Sequence, residues 1–380
     1  MKKIVTVFGA IWLSTAIALG SCAPLGSETG SEQLQTSSGS SSFEAVIPSV
    51  PAKNIVDISL KEGGFSLPTF DETAVSVSIG GVNVEFTQEG QLFTLAGLEN
   101  IPTGETELVV TGEQSYTFTA CVATEIIRTV EDFTAMREAE HTINDYYVLA
   151  NDLDFTGVQY KTHATFQGVF DGRGYALKNF TIFWTDQTSG LFGSEARGEE
   201  DKTTVIKNLA ILNLGGGGYG TGAVVDYAKE FVLIENVFVR GAMNRGGHRE
   251  AISCGHNGYI VGRAGAECVI QTCMVVDETG TLATNVYPER MGLIIGEAVS
   301  EYPTEYPIMR YCYASSIMGR PLISGYYSYE CEYAEYENTP LNAYRNENTM
   351  YSDVLDRGSV TYLQKIDGYV FWGRTLILSL

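Results

Sequence analysis

From Ile55 onward the chain alternates apolar and polar residues with a period of two, in short runs. The first six runs are Ile55-Val-Asp-Ile-Ser-Leu60, Ala74-Val-Ser-Val-Ser-Ile79, Val82-Asn-Val-Glu-Phe86, Phe93-Thr-Leu-Ala-Gly-Leu98, Glu107-Leu-Val-Val-Thr111 and Tyr116-Thr-Phe-Thr-Ala-Cys-Val122. Successive side chains of a strand point to opposite faces, so each run reads as a strand with one buried face. Gly80-Gly81 separates the second and third runs, as the turn of a hairpin does. Six short strands joined by glycine-rich turns predict a β-sandwich over residues 53–124.

Beyond residue 125 the alternation is organised into repeats. Leu177-Lys-Asn-Phe180, Ile206-Lys-Asn-Leu209, Ile234-Glu-Asn-Val237, Ile270-Gln-Thr-Cys273 and Met309-Arg-Tyr-Cys312 share an apolar-polar-polar-apolar pattern, with starts 29, 28, 36 and 39 residues apart. Between them recur Gly190-Leu-Phe-Gly193, Gly222-Ala-Val-Val225, Gly258-Tyr-Ile-Val-Gly262 and Gly292-Leu-Ile-Ile-Gly296. Two apolar pieces per repeat, with insertions of unequal length, predict a parallel β-solenoid over 125–380. Its turns stack about 4.8 Å apart and its apolar residues fill the tube. A solenoid needs its ends covered. Thr129-Val-Glu-Asp132 is a capping-box start and predicts a short helix that buries Val130, Phe133 and Met136 over the N-terminal end. Tyr369-Val-Phe-Trp372 and Leu376-Ile-Leu-Ser-Leu380 are the candidates to close the other end.

The strand pattern of 53–124 resembles the small immunoglobulin-like modules of bacterial surface proteins, which serve as spacers and less often as binders. In the second region, Tyr147-Val-Leu-Ala-Asn-Asp-Leu-Asp154, Phe166-Gln-Gly-Val-Phe-Asp-Gly-Arg-Gly174, Leu177-Lys-Asn-Phe-Thr-Ile182, Ser189-Gly-Leu-Phe-Gly193 and Ile206-Lys-Asn-Leu209 follow in order. This series resembles the right-handed β-helix family with GLUG-type repeats, over about 145–240. The resemblance implies a right-handed parallel β-helix with an adhesive or glycan-associated role and no common catalytic motif. Later turns depart from it. Asp226 stands where a glycine would close its piece, and Thr272 and Tyr311 replace the repeated asparagine, so the asparagine ladder is expected to break there.

The beginning of the chain is an address. Lys2 and Lys3 precede an apolar run, Ile4 to Ala18, which is too short to span a bilayer comfortably, and Leu19-Gly-Ser-Cys22 follows. These four residues resemble the bacterial lipobox. That resemblance implies cleavage after residue 21, acylation of the Cys22 thiol and a membrane anchor in the cell envelope, outside the cytoplasmic membrane. The alternative is plain secretion. Residues 22–52 are rich in Ser, Gly, Thr and Gln and read as a flexible spacer.

Charge narrows the partners. The chain carries 46 acidic and 24 basic residues, a net charge of −22. Such a surface repels phosphate backbones, so nucleic acid is excluded as a partner, and neutral glycans or cations are favoured. Apart from Cys22 there are six cysteines: Cys121, Cys254, Cys268, Cys273, Cys312 and Cys331. Their spacing fits no zinc module. Cys273 and Cys312 are expected inward on neighbouring turns, as free thiols or as a disulfide.

The candidate chemistry is sparse. Asp152, Asp154 and Asp171 could serve acid–base or cation-binding roles, but turn and strand-start positions explain them structurally. His141 and His163 stand alone. His248, Cys254 and His256 share one glycine-rich insertion without a fourth zinc ligand. Gly215-Gly-Gly-Gly-Tyr-Gly-Thr-Gly222 lacks the Lys-Ser/Thr of a phosphate loop. The richest patch combines Tyr326, Tyr327, Tyr329 and Tyr333 with Glu330 and Glu332. Aromatic rings stack on sugar C–H faces while carboxylates accept hydroxyl hydrogen bonds, so this patch is the candidate glycan site, with packing of the rings on the solenoid as the structural alternative. No catalytic residue, metal or cofactor is assigned. The sequence points to an envelope-anchored surface protein that binds a glycan. A polysaccharide lyase or glycoside hydrolase on the same scaffold, and a structural or protein-binding surface component, stand as alternatives.

Overall fold

The computed structural model describes residues 55–158, 165–182, 190–216, 221–242, 257–265, 267–277, 291–292, 294–298, 307–310 and 312–316. It also describes short strands between Tyr326 and Leu378. These residues belong to one compact unit, Ala45–Leu380. They are all-β apart from one α-helix and one 3₁₀ turn.

The alternating runs fold as strands β1 (Ile55–Ser59), β2 (Gly64–Ser66), β3 (Ser76–Ile79), β4 (Val82–Glu89), β5 (Leu92–Ala96), β6 (Gly104–Thr111) and β7 (Ser115–Ala123). Glycines 80 and 81 have positive φ and close the β3–β4 hairpin. The sequence pattern missed β2, which is only three residues long. Its pairing also alters the architecture. Where two separate sheets were expected, hydrogen bonding runs continuously in the ring order β1-β2-β5-β4-β3-β6-β7. The ring closes because β1 pairs in parallel with β7 along its whole length and touches β2 at the single pair Ser59↔Gly64. Ile58, Phe65, Phe70, Val77, Ile79, Phe93, Leu108 and Val110 fill the interior, and Phe65 and Phe93 stack with centroids 4.8 Å apart.

One residue, Thr124, separates β7 from β8 (Glu125–Ile127), which starts the second region by pairing in parallel with β9 (Tyr146–Leu149). From β9 the stack continues through Val169–Asp171, Thr204–Gly216, Val232–Gly241, Val269–Gln271, Ile308–Arg310 and Arg345–Glu347, every pair parallel. A second parallel stack follows Thr165–Phe166, Glu195–Ala196, Val225–Ala228, Val261–Ala264 and Ile295–Ala298. Of the repeat starts inferred from the sequence, Leu177 falls out of step, pairing with Ile211 in place of Ile206, and the other four fall at register partners. Ile206 pairs Ile234, Ile234 pairs Ile270, and Ile270 pairs Met309. All four are buried in one continuous core. The recurring glycines also stack, Gly222 on Gly258 and Gly258 on Gly292. A Cβ at Gly222 would sit 2.0 Å from the Val225 carbonyl oxygen, and one at Gly258 would sit 2.0 Å from that of Val261. No larger residue fits in this column.

Helix α1 (Val130–Glu138) forms where the sequence predicts it. The Thr129 hydroxyl accepts from the Asp132 N–H at 3.1 Å, and the Thr129 N–H donates to the Asp132 carboxylate at 2.9 Å, which completes the capping box. Phe133 and Met136 are buried, and Val130 packs on the core. The Phe133 ring meets Phe155, Phe170 and Phe192 edge-on at 5.5–5.9 Å and so covers the first turn. At the other terminus, Tyr369–Trp372 and Thr375–Leu378 pair as an antiparallel hairpin. The Thr375–Leu378 strand lies beside Thr204–Gly216 and Val232–Gly241, in the middle of the stack. This hairpin therefore flanks the parallel stack, in contrast to the expected end cap.

Barrel and parallel stack are joined by more than Thr124. Cys121, Ala123, Ile126 and Val148 form a small core between them. The Arg173 guanidinium crosses to Asp57 on β1 with two bonds of 2.8 and 2.7 Å. Lys61–Glu125 and Arg128–Glu62 add exposed ion pairs, each at 2.5 Å.

Candidate functional site

The three tempting aspartates hold the fold. Asp154 accepts from the Thr156 N–H and hydroxyl and from Asn179 Nδ2 at 2.8 Å. These bonds, that from Asn179 foremost, hold its carboxyl below the usual aspartate range. Asp152 accepts the Ala176 N–H at 3.0 Å and pairs with Lys178 at 2.8 Å. Asp171 accepts the Arg173 N–H and Asn208 Nδ2, both at 2.9 Å.

Asp154 and Asp171 each begin a ladder that climbs the stack. From Asp171, Asn208 receives Asn236 Nδ2 at 2.7 Å, and the Asn236 N–H donates to the Thr272 hydroxyl at 3.1 Å. From Asp154, Asn179 receives Asn213 Nδ2 at 3.1 Å. Asn179, Asn208, Asn213 and Asn236 all have φ between 54° and 59°, the left-handed region that asparagine tolerates best after glycine. The ladders fix the corners between strands. Thr272 occupies the same corner at φ 50° despite its branched Cβ. Its hydroxyl donates to the Gln271 carbonyl, and Asn236 Oδ1 accepts nothing among the described residues. Here the asparagine ladder ends, as the departure from the repeat predicts. Tyr311 lies outside the described residues.

Cys121, Cys268, Cys273 and Cys312 are free and buried. The Cys273 thiol donates to the Gln271 carbonyl at 3.3 Å, and Cys312 to that of Ile270 at 3.6 Å. Burial pushes the Cys268 thiol up to about 12 and raises that of Cys273 well above its ordinary value, which disfavours the thiolate at both. His141 packs edge-on against Tyr147 and Phe166, and burial lowers its pKa. No group of three metal-ligating side chains converges among the described residues. Cys22, His163, His248, Cys254, His256, Glu330 and Cys331 lie outside them.

The tyrosine-rich segment forms an antiparallel hairpin of Tyr326–Tyr329 and Glu332–Glu335. Its register sets Tyr326 opposite Glu335, Ser328 opposite Tyr333 and Tyr329 opposite Glu332. The Tyr326–Tyr329 strand lies beside Ile295–Ala298, the last described strand of the second parallel stack. That same stack carries a column that the sequence reading did not find. Glu195, Tyr227, Arg263 and Glu297 are register partners on successive turns. The Arg263 guanidinium lies 4.5 Å from the centroid of the Tyr227 ring and reaches the buried Asp226 carboxylate at 3.2 Å. Asp226, which replaces the expected glycine, thus anchors an arginine on the next turn. The 32 to 36 residues between these partners hide the column from any local pattern.

A cleft of about 790 Å³ opens on the barrel, lined by residues of β1, β2 and β5 with Phe118, Ile126 and Arg128. It lies where β1 and β2 diverge after their single pair.

No protein-family model matches the chain, and no curated protein does. Among solved structures, one similar chain is a candidate immunoglobulin A1 protease from Bacteroides ovatus. It is 13% identical with a TM-score of 0.36, over 67% of this chain and 91% of that one. Another is an IgA1 protease, 12% identical with a TM-score of 0.33, over 76% of this chain and 26% of its own length.

Proposed function

We propose that this chain is a lipid-anchored extracellular binding protein whose ligand is a glycan. In this reading Cys22 carries the lipid, residues 22–52 are the tether, 53–124 form an immunoglobulin-like module and 125–380 form a right-handed parallel β-helix. The immunoglobulin-like assignment is supported by the pairing order, in which the first strand joins the last in parallel and the β3–β6–β7 and β2–β5 pairs are antiparallel. The β-helix assignment is supported by uniformly parallel pairing at the repeat spacing and by the asparagine ladders that link successive turns.

One observation carries the glycan reading. A single parallel stack presents the Glu195–Tyr227–Arg263 column and, beside its last described strand, a hairpin whose register alternates tyrosine with glutamate. In this reading the tyrosines and glutamates supply the aromatic faces and carboxylates that suit the C–H faces and hydroxyls of an extended saccharide. Asp152, Asp154 and Asp171 are occupied in holding main chain and asparagines, which favours binding over hydrolysis by these residues.

Glycan-array binding of residues 43–380, with and without calcium, tests this. Retention of one glycan class, reduced at least tenfold by joint Tyr326→Ala, Tyr327→Ala and Tyr329→Ala and separately by Tyr227→Ala, is the expected result. Binding indifferent to all four changes would remove the site. No binding under either condition would remove the glycan and turn attention to a protein partner.

A further inference from the structure

On successive turns the asparagine corner reads Asn208-Leu209, Asn236-Val237, Thr272-Cys273 and Tyr311-Cys312. The side-chain ladder that ties the earlier turns together stops at Thr272, and the residue after it is the first of two stacked cysteines. The pairs on either side of this corner, Gln271↔Arg310 and Met274↔Tyr313, keep one offset, and Cys273 and Cys312 share it. The two cysteines therefore lie in register on neighbouring turns. Main chains stacked about 4.8 Å apart bring their Cα atoms within the span of a disulfide. Both side chains are fully buried, in the inward column that holds Leu209 and Val237. The Cys273 thiol lies 3.3 Å from the Gln271 carbonyl oxygen and 3.7 Å from that of Ile234, and the Cys312 thiol lies 3.6 Å from that of Ile270. Each thiol is also within hydrogen-bond reach of the other, so the two sulfurs share one space between the turns.

We propose that Cys273 and Cys312 are an oxidative modification site, joined by a disulfide while the chain folds. The bond ties the turn that carries Cys312 to the turn before it, at the point where the asparagine ladder stops. The oxidant is a small-molecule disulfide of the glutathione class. One cysteine thiolate attacks a sulfur of that disulfide and expels the first thiolate, and the second cysteine attacks the mixed disulfide and expels the other. The two cysteines give up two protons and two electrons, the oxidant's S–S bond breaks, and two molecules of free thiol leave. Burial sets the timing. The closed core disfavours the thiolate at Cys273, so exchange is confined to the interval before the turn packs. A chain folded with a reductant keeps both thiols free, as in the structure. The site needs a disulfide oxidant present during folding and does not rest on the glycan reading.

The test is refolding of the reduced, unfolded chain from Cys22 to Leu380 in a mixture of oxidised and reduced glutathione, against refolding with reduced glutathione alone. Each product is then unfolded, alkylated with iodoacetamide and mapped by mass spectrometry without reduction. After the oxidising mixture, the peptides of Cys273 and Cys312 are expected linked, at a mass lower by two hydrogens. Cys121, whose register partners are Asp57 and Glu105, is expected alkylated and serves as the control. After reduced glutathione alone, Cys273 and Cys312 are both expected alkylated. In the linked protein the Met309 and Ala314 amides are expected to exchange about tenfold more slowly than in the reduced protein, with Ile206 unchanged. The same map on chain collected from a bacterial periplasm needs no refolding. Cys312→Ala is expected to leave Cys273 alkylated in every preparation. Full alkylation of Cys273 and Cys312 after the oxidising mixture and in the periplasmic chain would overturn the proposal. So would a bond from Cys273 to any other cysteine.

Discussion

Asparagines at the corners of the parallel stack do two things at once. Each adopts a left-handed conformation at low cost, and each passes a side-chain hydrogen bond to the turn below. Asn236→Ala should therefore destabilise the protein by about 2–3 kcal/mol, from left-handed strain plus the bonds it removes. Thr272→Asn should do the reverse by about 1 kcal/mol, because it relieves a branched Cβ at φ 50° and offers Nδ2 to Asn236 Oδ1. Thermal unfolding of both variants checks the pair, and a Thr272→Asn protein no more stable than the parent would refute the account of this corner. The thiols give a second residue-scale prediction. Burial disfavours the thiolate at Cys268 and Cys273, so both should resist iodoacetamide at pH 8 in the folded protein and react fully once it is unfolded. Mass spectrometry of the alkylated chain reads this directly.

At the scale of elements, the glycine column sets how closely the turns approach. Gly258→Ala would drive a methyl group to 2.0 Å from the Val261 carbonyl oxygen, a backbone atom that cannot move aside alone. The expected result is loss of cooperative unfolding in the solenoid while the barrel strands keep their protection, read by hydrogen exchange. The spacing of these glycines was visible in the sequence. So were the capping helix and the repeat starts, because they depend on local pattern. Strand β2 was not. Three residues carry no periodicity, and Gly64–Ser66 is a strand only because β5 pairs with it. The C-terminal hairpin was recognised as apolar but placed at the wrong surface, since apolarity says that a segment packs and leaves open where.

For the whole molecule, the coupling of the barrel to the parallel stack decides whether the two parts unfold together. Arg173 makes that joint. It sits in a left-handed corner of the first solenoid turn and grips Asp57 on β1 with both guanidinium nitrogens. The pair is partly exposed, with side-chain accessibilities of 23% and 34%, so screening reduces what it contributes. Arg173→Ala is expected to cost about 1–2 kcal/mol and to split one calorimetric transition into two, one for each module. A single unshifted transition would show that the apolar patch around Cys121 and Val148 couples the modules without it.

Several properties were determined by the sequence alone: the strand-rich character, most of the repeat starts, the helix cap and the acidic balance. Each rests on spacing within a few residues or on composition. The tertiary structure decided the rest. It closed the first module into a ring through a parallel pair between its first and last strands. It turned candidate catalytic aspartates into the feet of asparagine ladders, and it brought Glu195, Tyr227 and Arg263 into one column. The physical reason is the same in each case. These contacts join residues about 25 to 65 positions apart, and their partners are set by the register in which one turn stacks on the next, which no local pattern records.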